Sequence, residues 1–233
     1  MNQDGYSFDR RLNAMTQVPD IRLAQQPASK AVLFDYRQAA NPVRPGLTDP
    51  IPYRIWSPEL HQSGPSGLIP LDLSTELGVE GPATSPGLAA HFIRIRAGEG
   101  VRAAAVATSS LFYVLSGAGR CHNRESGDET SFPWQEGDLF VLPAGGTPLL
   151  EADSTSVLYW VHDAPLLRYL GVAPTMPRFA PTHYSGEWLR AELHKLAAQP
   201  GSEKSNRLAL LLANTDLPNT RTVTHVLWAM FGI

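Results

Sequence analysis

The sequence predicts an all-β fold, an antiparallel barrel or sandwich, on three observations. Strand-like runs are short, they recur at even spacing, and the segments between them are turn-formers rather than helices. The runs are Leu88–Ala97, Val101–Val106, Ser110–Leu115, Gly119–Arg124, Asp138–Leu142 and Ser156–His162. Between them stand Ala97-Gly98-Glu99-Gly100, Ser116-Gly117-Ala118-Gly119, Ser126-Gly127-Asp128 and Gly145-Gly146. Glycine and aspartate favour the backbone conformations that tight reversals need.

Ahead of this block, residues 1–85 carry frequent Pro and Gly with turn clusters such as Arg44-Pro45-Gly46 and Asp49-Pro50. They read as an extended N-terminal arm, with strand-like pieces near Ala31–Tyr36 and Leu68–Leu73. After the block, 166–218 read as a linker containing a helix at about 186–197, where Leu189, Leu193 and Leu196 fall at helical spacing. Arg207–Ala213 and Arg221–Ile233 return to apolar, strand-like runs. An open apolar edge such as Val226–Ile233 favours self-association, and a homo-oligomer is the expected state.

Composition narrows the function classes. The 233 residues carry a formal charge of -3 and no dense Lys/Arg cluster, so nucleic acid is not an expected partner. Apolar runs fall well short of the roughly 18 residues of a membrane span. The N-terminus lacks the basic start and apolar stretch of a secretory signal, and the single cysteine, Cys121, rules out an intramolecular disulfide. A reducing, cytoplasmic setting is the expectation. Cys121 stands beside His122, but consecutive strand residues face opposite ways, so an inert thiol is expected. Ser109-Ser110 has no His at a readable distance, and a hydrolase triad is not supported.

Two segments carry a family resemblance. Ser110-Leu111-Phe112-Tyr113-Val114-Leu115-Ser116-Gly117 and Gly137-Asp138-Leu139-Phe140-Val141-Leu142-Pro143-Ala144-Gly145-Gly146 resemble the paired motifs of the cupin superfamily. The resemblance implies a cupin jelly-roll (double-stranded β-helix) barrel over about 86–165. Trp160-Val161-His162-Asp163-Ala164-Pro165 and the long arm are similar to the first barrel of the two-cupin, gentisate 1,2-dioxygenase-like group, whose activity is iron-dependent cleavage of aromatic rings. Residues 219–233 resemble the opening strand of a second cupin, cut short.

The metal positions are where this chain departs from the pattern. Aligned on Gly117 and Pro143, the family's His-x-His falls at Ala104 and Val106, its acid at Ser110 and its last His at Pro148. Alanine, valine and proline side chains offer no lone pair, and serine is a poor sole ligand for a divalent transition metal. No metal or other cofactor is therefore expected in this barrel, no residue is assigned a catalytic role, and the resemblance places Fe(II) in a second cupin outside the chain. The residues expected to line a pocket are His91, Ala104, Val106, Phe112, Val114, Pro148, Trp160 and His162, and the resemblance implies a small aromatic acid as its partner. Arg94 and Arg96 alternate with Ile93 and Ile95, which fits a solvated sheet face better than a carboxylate clamp. Two functions remain open: the ligand-free N-terminal half of a ring-cleaving dioxygenase, or a non-catalytic barrel for binding or oligomerisation.

Overall fold

The computed structural model describes residues 35–44, 46–125, 128–202, 208–217 and 230–232. It divides into two units, 1–51 and 52–233. Within the first, α1 (Tyr36–Ala39) is a single turn. It replaces the strand-like reading at Tyr36, while Ala31–Phe34 lie outside the described residues.

The barrel of the second unit is two antiparallel sheets facing each other. One holds β1 (Gly67–Pro70), β2 (Ala89–Ile95), β9 (Ser156–His162), β4 (Ser109–Ser116), β7 (Leu139–Pro143) and β10 (Thr182–Tyr184), in that order. The other holds β3 (Gly100–Arg102), β8 (Leu149–Ala152), β5 (Ala118–Glu125) and β6 (Asp128–Gln135). From β2 to β5 and again from β6 to β9 each successive strand changes sheet, as in a jelly roll. The six-stranded sheet extends past 86–165 at both ends, since β1 pairs with β2 through Gly67↔Arg94 and β10 with β7 through Tyr184↔Leu139.

Alternation decides the interior. His91, Trp160, Phe112 and Phe140 stand opposite one another across β2, β9, β4 and β7. Ala89, His162, Ser110 and Leu142 form the adjacent row. Both rows face inward, and the core gathers Ile93, Ile95, Phe112, Val114, Phe140, Leu142, Leu158 and Trp160 against Cys121, Trp134 and Leu150 of the second sheet. Phe112 stacks on Phe140 at 4.8 Å, a geometry that adds to the burial of large apolar area. Phe112 and Val114 are fully enclosed here, which corrects their assignment to a pocket: the interior is filled by side chains at that level.

The outer face of β4 and β7 is apolar as well and needs a cover. Leu111, Leu139 and Val141 meet Leu189 of α5 (Gly186–Ala197), with Tyr184, Phe179 and Leu212 completing the cluster. The expected helix is present with the expected bounds, capped by the Ser185 hydroxyl, which accepts the Trp188 N–H. Beyond it β11 (Ala209–Leu211) pairs with β12 (Met230–Gly232), so this part of the C-terminal run pairs within the chain. Residues 218–229, which hold most of the stretch read as a second cupin, lie outside the described residues.

Three expectations along the chain change. Val101–Val106 is not one strand: β3 ends at Arg102 and 103–107 are irregular. β6 and β8 lacked a periodic apolar signal, and β6 contains Pro133. The stretch read as leading into a linker forms α4 (Ala164–Leu170), with proline in its first turn and Gly171 as its left-handed C-cap. Arg94 and Arg96 point outward and hold an earlier loop: Arg94 donates to the Gly64 and His61 carbonyls and Arg96 to Gly64.

The Gly-Asp turn ahead of β7 does more than reverse the chain. Asp138 is 2% exposed, and its carboxylate accepts from the Gln135 N–H at 3.0 Å, the Gly186 N–H at 2.8 Å and His183 Nε2 at 2.9 Å. Gly186 packs against Gly137 so closely that a Cβ there would lie 2.6 Å from the Gly137 carbonyl carbon. Replacing Asp138 by Ala leaves buried donors without acceptors and is expected to lower unfolding free energy by about 3 kcal/mol. Urea denaturation measures the loss, and hydrogen exchange is expected to accelerate in α5 more than in β2 or β9.

Candidate functional site

The site lies where the chain crosses from β3 to β4. There a cleft of about 460 Å³ opens beside the inner face of β2 and β9. Its floor is His91, Trp160 and His162, one wall is Ala104, Ala105 and Val106, and the other is Ala164, Leu167, Arg168, Gly171 and Val172, with Leu68 and Pro82 at the rim. Of the residues read from sequence, His91, Ala104, Val106, Trp160 and His162 meet in this cleft. Phe112 and Val114 lie in the packed core, and Pro148 is buried away from the cleft, its carbonyl accepting from the Ala103 N–H at 3.0 Å.

Two tethers set the walls. Asp163, fully buried, accepts both the backbone N–H (2.8 Å) and the hydroxyl of Thr108, tying the irregular segment to the start of α4. Arg168 donates through Nη2 to the carbonyls of Glu80 (3.2 Å) and Pro82 (2.9 Å), tying α4 to the loop beneath it. In the irregular segment Ala103 and Ala105 turn toward the core, which leaves Ala104 and Val106 facing outward, Val106 being 63% exposed. The residues at the expected His-x-His positions thus border open space rather than the barrel interior.

The floor is a cluster of three rings. His91 and His162 stack at 5.3 Å with 23° between planes, and Trp160 lies 4.9 Å from His91 and 4.5 Å from His162. Burial pushes the His91 imidazole down to about 4, only partly offset by the nearby Asp72 carboxylate. His162 is pushed down to about 3, by burial first and then by the adjacent His91 and Arg168. Both rings are neutral at pH 7. His162 Nδ1 accepts the Ala164 N–H at 3.3 Å, so its proton resides on Nε2. His91 Nδ1 and Trp160 Nε1 are buried without a hydrogen-bond partner.

The donors present do not fit divalent iron. Ala104, Val106 and Pro148 supply no donor atom, and Ser110, which lies across from His162 on β9, supplies one hydroxyl. The two imidazoles are nearly parallel, so their in-plane lone pairs do not converge on one cation. Among the described residues no group of three or more His, Cys, Asp or Glu is arranged to hold a metal ion. Cys121, sealed in the core, has its thiol pushed up to about 12 by burial and is no nucleophile.

Arg168 and the α4 wall were not read from the sequence, although a signal exists. Asp163-Ala164-Pro165 followed by Leu166, Leu167, Leu170 and Gly171 has the start and stop pattern of a short helix.

A second concavity, of about 450 Å³, lies on the outer face of the smaller sheet, lined by Arg102, His122, Arg124, Thr147, Leu149 and Glu151. His122 is engaged on both sides there, Nε2 with Glu151 at 3.1 Å and Nδ1 with Ser131 at 3.2 Å.

No family model matches this sequence, and no curated protein does. Among solved structures, the chain is similar to salicylate 1,2-dioxygenase from Pseudoaminobacter salicylatoxidans with gentisate adducts: 26% identity over 48% of this chain and 29% of that one, TM-score 0.38. Another structure of the salicylate 1,2-dioxygenase from that organism gives 28% identity over 46% of this chain and 28% of that one, TM-score 0.37. A variant of Bacillus subtilis oxalate decarboxylase gives 16% identity over 48% and 34%, TM-score 0.37. The chain spans less than a third of the length of the dioxygenase chains it matches.

Two neutral buried imidazoles make stability depend on pH. Their folded pKa values lie below the ordinary 6.5, so the unfolded chain binds protons first as pH falls, and stability is lost below about pH 6.5 and down through about 4 and 3. Between pH 7 and pH 5 each imidazole is expected to cost about 2 kcal/mol. Urea denaturation at the two pH values checks this, and His91→Gln is expected to remove about half of the two-histidine difference. On strand order the barrel is a jelly roll, and the paired motif segments of its sequence resemble those of cupins.

Proposed function

We propose that this chain is a non-catalytic cupin barrel that binds a small organic molecule in the cleft above His91, Trp160 and His162. The observation that carries this reading is a substitution of chemistry within one architecture. The positions at which the family resemblance expects metal ligands hold Ala104, Val106, Ser110 and Pro148, while the cleft beside them has an apolar wall, an aromatic floor and two neutral imidazoles. Such a surface recognises a flat apolar body by ring contact and its edge by hydrogen bonds.

In the longer setting that the motif resemblance implies, this is the N-terminal barrel of a two-barrel ring-cleaving dioxygenase. Iron and oxygen chemistry then belong to the other barrel, and the ligand here is a small aromatic acid. Self-association through the apolar C-terminal run belongs to the same reading. No described helix is long and apolar enough to cross a membrane.

The test is metal analysis joined to an activity assay. The purified chain, produced with iron present, is expected to hold well below one metal ion per chain and to consume no oxygen with gentisate or salicylate. One iron per chain, retained through dialysis, or oxygen uptake that Ser110→Ala abolishes, overturns the reading.

A further inference from the structure

We propose that Arg168 makes the mouth cleft selective for a small monoanion, with Arg168 as its charge anchor and Trp160 and His91 as its hydrogen-bonding partners. This rests on the binding reading above and assigns a residue and a selectivity to it.

The first ground is an imbalance of polar groups. Among the described residues six carry buried side-chain polar atoms with no partner, and three of them, His91, Trp160 and Arg168, line this one cleft. Buried polar atoms are almost always paired, because an unpaired one bears its full desolvation cost. Trp160 is 1% exposed and His91 4%, so neither ring reaches bulk solvent to offset that cost. The tryptophan N–H and the arginine Nε–H are donors only, and the neutral imidazole can donate or accept. The site therefore calls for a ligand rich in acceptors.

The second ground is charge. Arg168 is the only charged residue that lines the cleft, and it forms no ion pair among the described residues. Its Nη2 is engaged by two backbone carbonyls, which holds the guanidinium in place without neutralising it. The nearby carboxylates have other partners. Asp72 accepts from the Ser74 and Ala83 N–H groups and the Ser74 hydroxyl, and Asp163 accepts from Thr108. Water can satisfy an unpaired N–H, but it brings no countercharge. A carboxylate brings both, and its bonds to a fixed guanidinium are among the stronger hydrogen bonds in proteins. The apolar wall of Leu68, Val106, Leu167 and Val172 limits the rest of the ligand to a compact apolar body.

The probes are two acid–amide pairs of equal shape, benzoate with benzamide and hexanoate with hexanamide, titrated calorimetrically into the whole chain at pH 7. The acid of at least one pair is expected to bind about tenfold or more tightly than its amide. Arg168→Gln is expected to bring that ratio to within about twofold, and Arg168→Lys to retain part of it. Since Arg168 also holds the loop at Glu80–Pro82, each variant is checked by near-ultraviolet circular dichroism. If Arg168→Gln does not fold, the wild-type acid-to-amide ratio and its fall with added salt decide the matter. Amides that bind as well as the acids overturn the anion selectivity and leave the binding reading standing. A ratio that survives in folded Arg168→Gln removes Arg168 as the anchor. No binding by any of the four overturns the binding reading and this inference with it.

Discussion

A single carboxylate organises the outer half of this molecule. Asp138 stands at the turn before β7, is almost wholly enclosed, and accepts from Gln135, Gly186 and His183. The first bond closes the turn, and the other two belong to the edge strand β10 and to the first residue of α5. The outer faces of β4 and β7 are therefore covered by a helix whose entry point is fixed by the turn that starts one of those strands. The inner faces follow from simple alternation, because once Leu139 and Val141 face the helix, Phe140 and Leu142 must face the barrel. Enclosing a charge on this scale is tolerable only because several donors surround it.

The barrel was legible because its strands obey local rules. Alternation puts Trp160 and His162 on one face of their strand and His91 on one face of its own with Ile93 and Ile95, and the pairing of β2 with β9 brings the two faces together. Glycine turns supplied the punctuation, as at Gly117, where φ is +89° and a Cβ would sit 2.0 Å from the Ser156 hydroxyl. β6 escaped because in Asp128–Gln135 only Phe132 and Trp134 alternate as large apolar residues, with a proline between them, and pairing with β5 makes it a strand. The segment after Arg102 escaped for the opposite reason. Its small apolar residues suit a strand, yet 103–107 make no ladder, and Asp163 draws its far end, Thr108, toward α4 instead.

Site residues divided along the same line. Those on β2 and β9 could be read because a strand's period is fixed. Phe112 and Val114 have the correct parity but lie too deep, and depth along a barrel depends on the register between strands, which the sequence does not display. Ala104, Val106 and Pro148 follow from counting along a motif; the first two border the cleft, while Pro148, in the irregular stretch after β7, is buried away from it. Arg168 reaches the cleft from a helix outside the motif region, across contacts to Glu80 and Pro82 that lie more than 80 positions away in sequence.

The cleft is composed of parts with different obligations to the fold. Its floor belongs to the packed sheets, where a change of one side chain disturbs a row of four strands. Its walls are a short irregular segment and a two-turn helix, each anchored by a few polar tethers and contributing small or branched side chains to the opening. Substitutions at Val106, Gly171 or Val172 alter the opening while leaving the aromatic row intact. The shape of the opening is thus free to drift over evolutionary time without loss of the scaffold, and homologous barrels are expected to share the floor and differ in the walls.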